Sequence, residues 1–225
     1  MIQHLNANIS FCELDGRLFF LDIQKDRYFQ LSRALECSFL SHLKAPDDAV
    51  VGIGAPIKHN LLPQATMASH GEAITGIAFP SESALEVPCP DSRVPLDVAR
   101  DVFLVVAMMR LQLKVRRLKP ILKAVSDYRN RRTSAPVEDQ SELPQRLLKA
   151  ATNFNRVRPY VPVEMCCLID SLSMIRFLAK QGLHAHLVMG VACDPFSAHA
   201  WVQHGPLVLN ETVGTAQNYV PIRVV

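Results

Sequence analysis

Three side chains within 45 residues of the C-terminal half have the types and the order needed for covalent acyl chemistry. Cys166-Cys167 precedes an amphipathic helical pattern with Leu168, Leu172, Ile175 and Ala179 on one face, and Gly182 follows as a stop. A cysteine in the first turn of a helix meets unpaired amides and the positive end of the helix dipole, both of which favour a thiolate. His199 lies in Ser197-Ala-His-Ala-Trp-Val202, a strand-like alternation, and Asn210-Glu211 closes the next apolar run. A thiol, an imidazole to take its proton and an acid or amide to orient the imidazole form a nucleophilic set. Either Glu211 or Asn210 can fill the third place. Alone, a cysteine at a helix start is most often an inert buried thiol, and a strand histidine is most often structural. The ordered set separates this chain from that background.

The elements that must carry these groups follow from periodicity and breakers. Pro95 opens a helix over Leu96 to Leu118, and Pro120 should kink it before a continuation over Ile121 to Tyr128. Thr133 to Leu143 reads as an exposed loop, Leu147 to Phe154 as a short helix and Cys167 to Gln181 as a long one. Strands are expected at His186 to Val191, Ala198 to Gln203, Leu207 to Asn210 and Tyr219 to Val224, with a turn at Gly205-Pro206. The N-terminal half reads as three strands: Ile9 to Leu14, Leu18 to Asp22 and Tyr28 to Leu31. Asp15-Gly16 and Lys25-Asp26-Arg27 supply the turns. Ser32 then caps a helix carrying Leu35, Phe39, Leu40 and Leu43. A second helix is expected around Leu61 to Ala68, and Ile74 to Phe79 is ambiguous.

With 225 residues, 49% of them apolar, the chain is long enough to bury a core and too hydrophobic for a disordered segment. Nine glycines exclude a collagen-like chain. Six scattered cysteines without a CxxC pair read as reduced thiols, and no basic start with a long apolar core marks a secretory signal, so a cytoplasmic setting is expected. The longest uncharged apolar run, Val102 to Met109, is too short to span a bilayer, so no transmembrane segment is expected. The net charge of +3 hides a division: residues 1–95 sum to −4 and residues 96–225 to +7. The change falls in the proline-rich stretch Glu86 to Pro95, which divides the chain into 1–85, a linker over 86–95 and 96–225. The segment Arg110 to Ser134 has nine Lys/Arg against one acid, Asp127, and reads as a solvated face or a docking surface. Nucleic acid is not expected as a partner: aromatic interleaving is missing from the basic segment, and the N-terminal half is acidic. His184 and His186 form an HxH pair that could ligate zinc with His199 or His204. No CxxC or HExxH accompanies it, so a half-exposed strand is preferred, with no metal and no cofactor.

The motifs resemble a known family. Cys167-Leu-Ile-Asp-Ser-Leu172 is similar to the Cys-Leu-x-x-Ser-Leu helix of lasso-peptide leader peptidases, Pro195-Phe-Ser-Ala-His-Ala-Trp-Val202 to their Phe-x-Ala-His-Ala-Trp-Val strand, and Val208-Leu-Asn-Glu211 to their Val-Leu-Asn-Asp. The resemblance covers roughly residues 145–225. It implies an α+β chain: an N-terminal winged-helix precursor-recognition module (three strands, then helices), followed by a transglutaminase-like, papain-like cysteine protease domain (helices, then an antiparallel sheet). In that family's pattern Cys167 matches the nucleophile, His199 the general base and Glu211 the acid, with Cys166 a bystander and Asn210 the competitor for the third place. The implied activity is a cysteine endopeptidase that cleaves the leader from a ribosomally made precursor peptide. The leader would add as a strand beside Tyr28, Phe29 and Leu31, and an asparagine-synthetase-like cyclase would be the partner that closes the product's ring. An acyltransferase on the same residue set and a non-catalytic peptide-binding adaptor are the competing readings.

Overall fold

The computed structural model describes residues 3–6, 8–44, 77–87, 93–133 and 142–225. The N-terminal sheet is an antiparallel meander of four strands, β1 (Gln3–Asn6), β2 (Ile9–Leu14), β3 (Arg17–Asp22) and β4 (Arg27–Gln30), followed by helix α1 (Arg33–Lys44). The three expected strands are present, and β1 joins them outside β2. The tight turn at Asp15-Gly16 works because both residues adopt positive φ, 50° and 68°, which matches the twist of the flanking strands. At the next turn the Asp22 carboxylate accepts from the Gln24 and Lys25 amides at 2.9 and 3.0 Å. The expected helix over Leu61 to Ala68 and residues 74–76 of the ambiguous stretch Ile74 to Phe79 lie outside the described residues.

β3 carries an unbroken apolar run because both faces of this sheet are covered. Ile9, Phe11, Leu18, Phe20 and Leu31 pack with Phe39 of α1. Cys12, Phe19, Leu21 and Ile23 point the other way and belong to the same buried cluster as the helices and strands of the C-terminal half. Glu36 ties α1 down, accepting from Arg17 Nε at 3.1 Å and from the Leu18 amide at 2.5 Å.

The C-terminal half begins with two helices, α2 (Leu96–Val115) and α3 (Leu118–Thr133). The break falls at Arg116 and Arg117, not at Pro120. Pro120 sits in the first turn of α3, where its missing N–H costs no helical hydrogen bond. α4 (Leu143–Val157) is longer than the apolar pattern indicated, and a 3-10 turn (Arg158–Tyr160) follows it. Residues 134–141 of the expected loop lie outside the described residues. Then come α5 (Cys167–Lys180), β6 (His186–Ala192), β7 (Ser197–His204), β8 (Leu207–Val208), the short α6 (Val213–Gln217) and β9 (Val220–Val224). The second sheet has the order β5-β8-β7-β6-β9, where β5 is Glu82–Ser83 paired in parallel with β8 and the other pairs are antiparallel. β7 is therefore an interior strand, and α5 packs against it, with Ser171 Oγ donating to the Ala200 carbonyl at 2.9 Å. Among the described residues no helix is long and apolar enough to cross a membrane.

Candidate active site

The approach to Cys167 is built by an ion pair that no motif announces. Arg158, in the 3-10 turn, donates from Nε to Asp170 at 2.5 Å and from its two other nitrogens to the carbonyls of Val163 and Glu164, both at 3.0 Å. Asp170, in the first turn of α5, reaches back with its other oxygen to the Cys166 amide at 3.2 Å. Arg158 and Asp170 are both buried, so one guanidinium and one carboxylate fix the segment 163–166 that delivers the thiol to the helix start. Burial raises the Asp170 pKa against the pull of Arg158. A sequence signal did exist for this acid: a carboxylate in a helix's first turn is placed to serve the orphan amides at its start.

Cys167 is half-buried and Cys166 exposed. Burial pushes the Cys167 thiol up, while backbone hydrogen bonds from Ala200 and Leu168 pull it down. The helix start thus does not by itself favour the thiolate here; desolvation outweighs it. The Ala200 contact sets the sulfur against the residue next to His199 on β7.

His199 is held from three sides. Its Nε2 lies 3.1 Å from Glu211 Oε2, its ring stacks on Tyr219 at 5.0 Å, and Trp201 lies beside it at 6.2 Å between centroids. With Nε2 facing the carboxylate, Nδ1 is the nitrogen left for proton exchange with a thiol. Glu211 is itself oriented, because its Oε1 accepts from the Thr212 amide at 3.0 Å. Trp201 is buried and donates to Gln203 at 2.9 Å. Gly190, opposite His199 on β6, permits this packing: a Cβ there would come within 2.8 Å of the Trp201 ring and 2.9 Å of Tyr219.

Asn210 takes a different part. Its Oδ1 accepts from the Val202 amide at 2.7 Å, and its Nδ2 donates to Ser171 Oγ at 2.9 Å. Ser171 in turn donates to the Ala200 carbonyl at 2.9 Å. The amide therefore ties α5 to β7, and the carboxylate next to it meets the imidazole. His184 and His186 lie 4.8 Å apart between ring centroids, and among the described residues no group of three or more His, Cys, Asp or Glu is placed to hold a metal.

A comparison with protein families decides the fold's kinship: the model described as transglutaminase-like superfamily matches residues 105–224. The chain belongs to the transglutaminase-like superfamily. That match contains Cys167, His199 and Glu211 in one domain and leaves β1 to β4 outside it. A curated relative, the microcin J25-processing protein McjB of Escherichia coli, is 42% identical over 45 residues, which is 20% of this chain and 22% of McjB. The aligned stretch thus spans about a fifth of the relative's length. No solved structure matches the chain.

The three N-terminal residues expected to meet a peptide separate onto two faces. Tyr28 points towards the superfamily domain, where it packs against Phe196 at 5.8 Å. Its hydroxyl is pushed up to about 12, by burial first and then by the neighbouring Cys167, Asp26 and Cys12. Phe29 stacks on Phe20 at 5.1 Å, and Leu31 is buried in the α1 cluster. Phe196, in the turn between β6 and β7, belongs to the Phe-x-Ala-His-Ala-Trp-Val motif, which by itself suggests no role for it; its half-exposed ring stacks on Phe19 at 5.7 Å.

Proposed function

We propose that this chain is a cysteine endopeptidase that removes the leader from a lasso-peptide precursor. The contact between His199 Nε2 and Glu211 at 3.1 Å, beside a half-buried thiol at a helix start, is the observation that carries this reading. In this mechanism Nδ1 of His199 takes the Cys167 proton as the sulfur attacks the scissile carbonyl. Because burial raises the thiol pKa, proton transfer accompanies attack and does not precede it. Glu211 stabilises the imidazolium. The imidazolium then protonates the leaving amine, which is the new N-terminus of the core peptide, and water releases the leader from the thioester.

The N-terminal sheet with α1 serves as the precursor-recognition element, in a winged-helix arrangement over residues 1–85. The leader adds as a strand along β4, whose outer edge pairs with nothing among the described residues. The reaction is cytoplasmic, needs no metal or cofactor, and hands its product to an asparagine-synthetase-like cyclase.

The test is incubation of the purified chain with the precursor peptide encoded beside its gene, read by mass spectrometry. One hydrolytic cut is expected, lost by at least about 10³-fold in Cys167→Ala and retained within a few-fold in Cys166→Ala. Capture of the acyl group by an added amine in preference to water would identify an acyltransferase. Binding without any reaction would identify an adaptor.

A further inference from the structure

Between the N-terminal sheet and the β6–β7 turn lies a cleft of about 350 Å³. Its floor is Phe19 of β3 with Tyr28 and Gln30 of β4; its far wall is Phe196 with Cys193. The register explains why these residues meet. Gln30 stands opposite Phe19, and Tyr28 is two residues from Gln30, so all three project from the same face of the sheet. Phe196 lies parallel on Phe19, with 6° between the ring planes, and meets Tyr28 edge-on. Half of Phe196 nevertheless remains exposed, so the stack ends in an aromatic surface open to the cleft.

Among the described residues the cleft is lined by one cation, Arg17, and it is engaged: Nε meets Glu36 and a second nitrogen donates to the Leu31 carbonyl at 3.3 Å. No carboxylate among the described residues lines the space. Such walls accept an uncharged apolar side chain and disfavour a charged one, which would lose its hydration without gaining a partner. Two features connect the cleft to the reaction. Tyr28 is an electrostatic neighbour of Cys167, and Phe196 lies three residues before His199 on the same strand-turn unit.

We propose that this cleft is a specificity pocket for one aliphatic or aromatic side chain of the peptide substrate, gripped between Phe196 of the superfamily domain and Phe19 and Tyr28 of the N-terminal sheet. A strand added beside β4 projects alternate side chains towards this cleft, so one substrate position is read here while the backbone pairs with β4. Selectivity is therefore a joint property of the two sheets. The proposal rests on the peptidase reading for the identity of the ligand as a peptide, though not for the pocket itself.

The test separates the two. A random dodecapeptide display library is panned on the full chain carrying Cys167→Ala, which cannot cut, and on the same chain with Phe196→Ala added. The first protein should enrich peptides sharing an apolar residue at one position. A selected peptide should bind about 10- to 100-fold more weakly once Phe196 is truncated. Replacing its apolar residue by Ala should weaken binding to the first protein and have little further effect on the second, the signature of a direct pair. Phe196→Leu should recover part of the affinity, and unchanged thermal melting would show that the fold is intact. No enrichment, a shared charged residue, or a selected peptide bound equally well without Phe196 overturns the proposal. If selected peptides bind through Phe196 yet remain uncut by the unmodified chain, the pocket stands and the peptidase reading fails. Cutting that is indifferent to Phe196 leaves the peptidase reading standing and removes the pocket.

Discussion

The two antiparallel-rich sheets among the described residues hold their side chains in different ways. The two faces of the N-terminal sheet are packed by apolar and aromatic contacts, Phe11, Phe20, Phe29 and Phe39 on one and Phe19 and Tyr28 on the other, with Glu36 and Asp22 supplying polar ties at its rim. Its last strand, β4, has an open edge among the described residues. The C-terminal sheet places His199 on an interior strand and pins the surroundings with directional polar contacts from Asn210, Ser171, Glu211 and Gln203. Aromatic packing tolerates small adjustments, and an open edge can accept a strand. Reacting groups must be held within about half an ångström, which calls for hydrogen bonds on a rigid element. On the proposed function, the contrast would give recognition to one sheet and chemistry to the other. The two are not independent bodies, however, because Cys12, Phe19 and Leu21 share a buried cluster with Val105, Leu172 and Leu187.

The sharpest way to break this contrast lies in two adjacent residues. Glu211→Gln should lower kcat about 10²- to 10⁴-fold with little change in melting temperature, since it removes the charge facing the imidazole and leaves its shape. Asn210→Ala should do the reverse. It orphans the Val202 amide and costs about 1–3 kcal/mol, a fall in melting temperature of several degrees. Steady-state kinetics beside calorimetry reads both. Loss of activity without loss of stability in Asn210→Ala would move the orienting role to the amide.

A second pair compares the sheets' ion pairs. Arg158→Met leaves Asp170 buried without its partner and should cost about 3–5 kcal/mol, read as a drop in melting temperature on the order of 10 °C. Arg17→Met should cost markedly less, about 1 kcal/mol, because Arg17 is 29% exposed and Glu36 keeps its bond from the Leu18 amide. Equal losses would mean that both pairs are structural to the same degree. Arg158→Met together with Asp170→Leu should regain part of the stability, since the isolated carboxylate is the costly element.

How much of this was legible in the sequence depends on range. Elements fixed by local pattern were readable: the α5 helix, the β6 and β7 strands and the Asp15-Gly16 turn depend on periodicity and on glycine's access to positive φ. Pro120 misled because a proline breaks a helix only in its interior, and the helix start at Leu118 had no strong signal of its own. β1 escaped notice because a four-residue edge strand leaves almost no alternation to detect. The order of Cys167, His199 and Glu211 is visible, and the family resemblance prefers Glu211 to Asn210, but local pattern alone does not separate the two. Neighbouring residues point in different directions, and only the partners at Val202, Ser171 and His199 distinguish them. Arg158 was invisible for the same reason: its acceptors on 163, 164 and 170 are brought together by the turn it stabilises.

The smallest expected effect concerns pH, and it too belongs to the C-terminal half. Burial lowers the His184 pKa from 6.5 to about 4, with further contributions from Arg129, His186 and His204. His186 is lowered as well, by burial and then by Arg129 and His204. Arg129 is buried and fixed in place, donating to the Ala185 carbonyl at 3.1 Å, so it presents a positive charge to both rings. Between 6.5 and about 4 the unfolded chain takes up a proton at His184 that the folded chain refuses. Stability is therefore complete above pH 6.5 and falls as the pH descends towards 4. The site is partly open to solvent, so the loss is on the order of 1 kcal/mol, or about 2–4 °C in melting temperature between pH 7 and pH 5. His184→Gln should flatten that slope, whereas truncating Tyr28 in the N-terminal sheet should lower stability at both pH values without changing it. A slope that survives His184→Gln would place the titrating group elsewhere, with His186 next in line because it faces the same guanidinium.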